Sequence, residues 1–261
     1  MINPNDSTKI SRSLFLKKLG LFALGHSFLA PFVQAENREK DEQETILRGD
    51  SLEIPIDKSQ PTSELPFILR GPRGNPRIAL TFDDGPNPGT TEKILQTLDQ
   101  HRAKATFFMI GSRVKEYPAL AREVRDQGHD IGNHSYTHPL LTRLPKATVY
   151  NEVQKTQQVI EDTLHLQSRW FRPPYGAFKA SQASIATELK LNIVIWSVDP
   201  RDWSRPGANT IHRRIVNHTS GGDIVLCHDI HRQTAEAAPY FIPALIDRGF
   251  ELVTLSDLLL G

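Results

Sequence analysis

Cysteine is nearly absent. Cys227 is the only one, so no disulfide can form within the chain and no thiolate-rich metal site can assemble. Excess charge of either sign is also missing: 31 Lys and Arg stand against 30 Asp and Glu, a net charge of +1. Such a chain has no polycationic surface to neutralise a phosphate backbone, which argues against nucleic acid as a partner. No apolar run reaches the ~20 residues that span a bilayer; the longest, Leu19 to Phe32, is shorter and is interrupted by His26 and Ser27. No internal repeat and no low-complexity tract is found, so solenoids and extended arrays are set aside. What is there is a chain of 261 residues with 38% hydrophobic content, enough for one globular domain with a full core.

The first 35 residues have a different composition from the rest. Lys9, Arg12, Lys17 and Lys18 make a basic start, the apolar run follows, and Val33-Gln34-Ala35 offers small residues at a cleavage position. This three-part pattern predicts a secretory signal over 1–35, cut after Ala35, and hence export to the periplasm, cell wall or medium with no membrane span in the mature form. Ser11 to Lys17 also resembles the twin-arginine export motif, with Ser13 in place of the second arginine. Residues 36–74, rich in charge, proline and serine, read as a linker with at most one short strand around Leu52 to Ile56.

From Arg77 onward short apolar runs alternate with helical patterns. Strands are expected at Arg77 to Phe82, Ala105 to Ile110, Trp170 to Arg172, Asn192 to Val198, Asp223 to Cys227 and Phe250 to Leu255. Helices are expected at Thr91 to His101, Pro118 to Gln127, Pro145 to Leu164, Ser181 to Leu189, Thr210 to Asn217 and Thr234 to Arg248. This rhythm predicts parallel strands with crossover helices, as an open sheet or a closed barrel. Asp83, Arg172, Asp199 and His228 each follow a strand, and a barrel gathers its strand ends at one mouth, which favours the barrel.

Five segments carry the chemistry. In Thr81-Phe82-Asp83-Asp84-Gly85-Pro86, alternation along an extended strand lets one carboxylate bind a metal while the other faces a substrate. By itself this segment would read as an acidic turn. His134 and His138, in His134-Ser135-Tyr136-Thr137-His138, have the i, i+4 spacing that puts two imidazoles on one face of a helical turn. Two histidines and a carboxylate leave coordination positions open, as catalytic zinc sites do. Arg172-Pro173-Pro174-Tyr175-Gly176 presents a guanidinium suited to a bidentate contact with a carboxylate. Asp199-Pro200-Arg201-Asp202-Trp203 and Leu226-Cys227-His228-Asp229 supply acids and a histidine whose basicity and tautomer a neighbouring carboxylate would set. Cys227 beside His228 points to the opposite strand face and reads as a small buried apolar residue.

Together these segments resemble the polysaccharide deacetylase family, the NodB-like domain of carbohydrate esterase family 4. All five of its motifs occur in order over roughly Arg77 to Leu260. The resemblance implies a catalytic domain over 75–261 and an α/β fold, a distorted (β/α) barrel of about seven parallel strands. It implies that Asp84, His134 and His138 hold a divalent metal, usually zinc, with cobalt or nickel as options. Asp83 would be the general base, steadied by Arg172. The backbone N–H of Tyr175 would help stabilise an oxyanion, and His228, tuned by Asp199, would be the general acid. Trp203 and Leu226 would wall a pocket for the acetyl methyl. The implied activity is hydrolysis of N-acetyl groups from an amino-sugar polymer such as peptidoglycan, chitin oligomers or an exopolysaccharide, with export favouring peptidoglycan. An O-acetyl esterase of the xylan type and an inactive carbohydrate-binding module are the alternatives.

Overall fold

The computed structural model of the protein describes residues 67–261. The expected signal segment and the strand expected at Leu52 to Ile56 lie outside the described residues. Among the described residues there are eight strands: β1 (Phe67–Ile68), β2 (Arg77–Asp83), β3 (Thr106–Met109), β4 (Asp130–Asn133), β5 (Trp170–Phe171), β6 (Asn192–Val194), β7 (Ile224–His228) and β8 (Glu251–Leu252). Seven of them form one parallel path in the order β1-β6-β5-β4-β3-β2-β7, and β8 pairs with the start of β2. The helices are α1 (Thr91–Gln100), α2 (Gly111–Glu116), α3 (Pro118–Asp126), α4 (Lys146–Leu164), α5 (Ala183–Glu188), α6 (Ala208–His218), α7 (Arg232–Asp247) and α8 (Leu255–Leu260).

The sheet curls into a half-barrel whose seam is closed by single bridges rather than by a strand pair. Val198 bridges Val225, with Ser197 N donating to Ile224 O and Leu226 N to Val198 O, both at 2.9 Å. Arg70 bridges Asp223 through the backbone, and its guanidinium lies 3.1 Å from the Asp223 carboxylate. Part of the segment read as linker is therefore built into the sheet: β1 pairs with β6, and Arg70 helps close the seam.

Alternation along the central strands decides what faces the interior. Ile78, Leu80 and Phe82 of β2 pack outward with Ile94, Leu98, Phe241 and Leu245 of α1 and α7. Ala79 belongs instead to the cluster that contains Phe108, Trp170, Ile224, Leu255 and Leu258, so Thr81 and Asp83 share the inner face. On β7, Val225 and Cys227 join the outer cluster, which leaves Leu226 and His228 on the inner face. Cys227 is fully buried there, as its strand position predicts.

Several elements differ from the sequence expectation. β1, β4, α2 and α8 were not expected, and β6 ends at Val194 rather than Val198. The run Asp130-Ile131-Gly132-Asn133 has one large apolar residue and no readable alternation. The last strand stops at Leu252, because Thr254 caps a helix, its Oγ1 accepting from Asp257 N at 3.1 Å.

Candidate functional site

The β2–β7 register places Asp83 directly opposite His228 at the strand ends. Asp83 is buried, and Arg172 reaches it from the end of β5. Arg172 Nη1 donates to Asp83 Oδ1 at 2.7 Å and to Thr81 Oγ1 at 2.8 Å. Its Nε and Nη2 donate to the carbonyls of Val194 and Ile195, and the guanidinium lies 4.1 Å from the centre of the Phe108 ring. The contact is thus a single charge-assisted hydrogen bond, not the bidentate fork expected from the sequence. The remaining donors anchor Arg172 to backbone, which leaves a wholly buried cation with every nitrogen partnered.

Asp84 opens the turn that follows β2, and its carboxylate and that of Asp83 both approach His134 Nε2, at 3.4 and 3.7 Å. The Asp84 φ of 77° lies in the left-handed region, and its N–H donates to Phe108 O. Its Oδ1 lies 3.4 Å from His134 Nε2 and 3.3 Å from His138 Nε2. One ligand atom from each of the three residues fits within 4.8 Å of the others. Asp84 Oδ1 is buried with no hydrogen-bond partner, which is the state of an oxygen facing a cation. His134 Nδ1 lies 2.7 Å from the carbonyl of Arg172; since a carbonyl only accepts, Nδ1 carries the proton and Nε2 presents its lone pair to Asp84 and His138. Burial, then the neighbouring His134, pushes His138 down to about 4, so its imidazole is neutral and able to coordinate. Burial would raise the Asp84 carboxyl, but His134 first, then His228 and His138, hold it well below the usual carboxylate range. Two imidazoles and one ionised carboxylate fit a divalent cation.

The two histidines are not on a helix. Residues 134–138 form a bend in which Ser135 and His138 both have positive φ, 62° and 59°. An i, i+4 spacing suits a helical turn, but here the segment is folded by side chains. Glu152 of α4 accepts from Tyr136 N at 2.9 Å, Thr137 N at 2.8 Å and Thr137 Oγ1 at 3.0 Å. Asn133 Oδ1 accepts from Ser135 N, and Ser135 Oγ from His138 N. Tyr175, itself at φ 59°, packs edge-on against His138 at 4.7 Å and is half exposed. Because Pro173 and Pro174 lack an N–H, its amide is the first backbone donor after Arg172.

On the other side, His228 Nδ1 is 2.7 Å from Asp202 Oδ1. Asp202 Oδ2 accepts from His228 N and from Thr234 Oγ1, each at 2.7 Å, and the residue is fully buried. Burial would lower the pKa of His228, but Asp202 above all, then Asp84 and Asp83, raise it to about 10. The sequence reading put Asp199 in that place. Asp199 instead accepts from Arg201 N at 2.7 Å, closing the turn that leads to Asp202, and burial raises its carboxyl. Arg201 and Arg205, both left-handed (φ 55° and 54°), flank the 3₁₀ turn Asp202–Ser204 and aim Asp202 inward. Trp203 is partly exposed on that turn, and Leu226 is buried on β7 opposite Thr81. Among the residues not singled out beforehand, Asp202 lay inside a quoted motif, whereas Glu152 and Asn133 carried no local signal.

Residues 70–194 match the family model described as polysaccharide deacetylase. A chitooligosaccharide deacetylase from Rhizobium leguminosarum bv. trifolii is 39% identical over 207 residues, covering 74% of this chain and 96% of that protein. This chain belongs to the polysaccharide deacetylase family. The peptidoglycan-N-acetylmuramic acid deacetylase PdaC of Bacillus subtilis is 42% identical over 181 residues, 69% of this chain but only 38% of that longer protein. The PdaC structure superposes with a TM-score of 0.68 at 42% identity, covering 71% of this chain and 90% of that one. The Bacillus anthracis protein BA3943, described as a carbohydrate esterase family 4 pseudoenzyme, has a TM-score of 0.70 at 33% identity, over 74% of this chain and 68% of that one. Family members therefore include a protein described as lacking activity, and an activity has to be argued from the site.

Proposed function

We propose that this chain is an exported, metal-dependent amidohydrolase that removes acetyl groups from N-acetylated amino sugars in a polymer, peptidoglycan first among them. The observation that carries the reading is the pairing of Asp83 and His228 across β2 and β7, with the Asp84–His134–His138 group beside Asp83. A base, an acid and a cation site then border one space at the strand ends.

A divalent cation on Asp84, His134 and His138, zinc in the first instance, would supply Lewis acidity to the acetamide carbonyl and acidify a nearby water. Asp83, held by Arg172, accepts a proton as that water attacks the carbonyl carbon. The Tyr175 amide donates to the oxygen on which negative charge develops. His228, kept protonated by Asp202, gives its proton to the sugar nitrogen; the C–N bond breaks, and acetate and a free amine leave. Trp203 and Leu226 would border the acetyl methyl. An ester would need less from the acid, since an alkoxide leaves more readily than an amide nitrogen. The strong support of His228 by Asp202 therefore favours amides over the O-acetyl esterase reading. The reading assigns a residue to every role that the reaction needs, which argues against a binding module.

Residues 1–35 would be removed on export and 36–66 would precede a catalytic domain that starts at β1. Among the described residues no helix is long and apolar enough to cross a membrane. N-terminal sequencing of protein from the native host should read from Glu36; Met1 on cytosolic protein would refute export. For the activity, mass spectrometry should show acetate loss from peptidoglycan, chitin oligomers or N-acetylated exopolysaccharide. Turnover of acetylated xylan alone would transfer the assignment to the esterase.

A further inference from the structure

Asp229, next to the proposed acid, has no part in the chemistry above. It is fully buried, and its carboxyl lies against the turn at Gly85 that follows both carboxylates. Three contacts define its place. Its N–H donates to Asp83 O at 3.2 Å. Its Oδ2 accepts from Thr91 Oγ1 at 2.6 Å, and Thr91 Oγ1 in turn accepts from Asn87 N at 2.8 Å. Its carboxyl lies against Gly85, where a Cβ would collide with both of its oxygens. Thr91 is itself fully buried at the start of α1. Asp229 Oδ1 is buried with no hydrogen-bond partner, an arrangement that packing alone would not select.

The turn it touches needs outside support. Asp84 sits at φ 77°, a conformation that a non-glycine residue holds only when its surroundings over-determine it. The Asp84 N–H bond to Phe108 O and the Ile110 N–H bond to Gly85 O fix the turn from the β3 side. From the β7 side, beyond the Asp83–His228 pair of the ladder, it is held by Asp229 and, through it, by Thr91 and Asn87.

We infer that Asp229, braced by Thr91, is a positioning residue that seats Gly85 and so fixes the direction in which Asp84 presents its carboxylate to the cation. The inference rests on the metal-site reading above. It explains the glycine as well: position 85 is the seat of another residue's carboxyl, so even alanine would push Asp229 off the turn.

The test is metal affinity, measured on chelator-stripped full-length protein by zinc competition with a chromogenic chelator, with kcat and KM on N-acetylated oligosaccharide alongside. Asp229→Ala should weaken zinc about 10-fold or more, in the range typical for lost support of a ligand. It should lower kcat while KM changes little. Asp229→Asn keeps the shape and an acceptor for Thr91, and should stay within about threefold of the parent protein. Should Asp229→Ala fail to fold, Thr91→Val decides, since it removes only the hydroxyl; it should weaken zinc, and Thr91→Ser should restore it. Parent-like zinc affinity in a folded Asp229→Ala or in Thr91→Val would overturn the inference while leaving the metal-site reading intact. A parent protein that binds no zinc, cobalt or nickel would overturn both.

Discussion

On the β2–β4 side of the mouth, the candidate metal group is carried by backbone in unusual conformations and held from many directions. Asp84, Ser135 and His138 all have positive φ, and Glu152, Asn133, Ser135 and the Arg172 carbonyl each fix part of the arrangement. On the β7 side, His228 sits on a regular strand, and one buried carboxylate, Asp202, binds both its ring and its backbone N–H. Support is therefore spread out on the first side and concentrated on the second. Loss of one supporting residue should be graded near the cation and abrupt near the acid.

The largest expected effect lies in the proposed base. Asp83→Asn should lower kcat about 10²–10⁴-fold, as for loss of a general base, yet keep its metal, because Asp84, His134 and His138 remain. Acetate release together with metal content checks this, and metal-free protein would move Asp83 into the ligand set. Next comes the concentrated support. Asp202→Asn should lower kcat on an N-acetyl sugar roughly 10–100-fold, and the alkaline limb of the pH profile should move down. The sign follows from the raised pKa: His228 holds its proton up to about 10 when Asp202 is charged beside it, and loses it earlier when that charge is gone. A bound cation would offset the contributions of Asp84 and Asp83, which leaves Asp202 as the one that persists. Asp199→Asn should leave that limb in place, and a shift there equal to that of Asp202→Asn would contradict the geometry.

A smaller effect is expected for the distributed support. Glu152→Ala frees Tyr136 and Thr137 but leaves the bonds from Asn133, Ser135 and Arg172, so zinc affinity should fall about 10-fold. A loss of all binding would show that the support is not distributed. The smallest effect lies outside the mouth. His129 is buried between β3 and β4, accepts from Ala105 N at 3.2 Å and is pushed down to about 4 by burial, then by Lys104. A histidine whose folded pKa is depressed destabilises as pH falls below its unfolded value of about 6.5, because the unfolded chain takes up the proton first. Stability should drop by on the order of 1–2 kcal/mol between pH 7 and pH 5 from this residue. Urea unfolding of His129→Phe should show a smaller drop over the same range.

The same contrast explains how much was legible in the sequence. Strand–helix alternation and polar residues at strand ends pointed to a parallel barrel, because a strand face and a helix face leave different periods in the chain. Asp83, Asp84, His134, His138, Arg172 and His228 stood out because each lies in a compact motif, and the structure brings them to one mouth. The choice between Asp199 and Asp202 could not be read, since it depends on left-handed turns at Arg201 and Arg205. The spacing of His134 and His138 is equally compatible with a helix and a folded bend. Glu152 lies among other polar residues on α4, and its role exists only through contacts with residues 136 and 137. Thr254 and Asp257 did carry a capping signal, which the apolar run before them outweighed.

The central claim is that the Asp84–His134–His138 group holds the cation that makes the mouth an amide hydrolase. The most direct measurement is acetate release from N-acetylglucosamine oligomers by chelator-stripped protein, titrated with zinc. The account predicts no activity without metal, recovery that saturates at about one equivalent, and no recovery in His134→Ala. Full activity in verified metal-free protein, or equal recovery in His134→Ala, would contradict it.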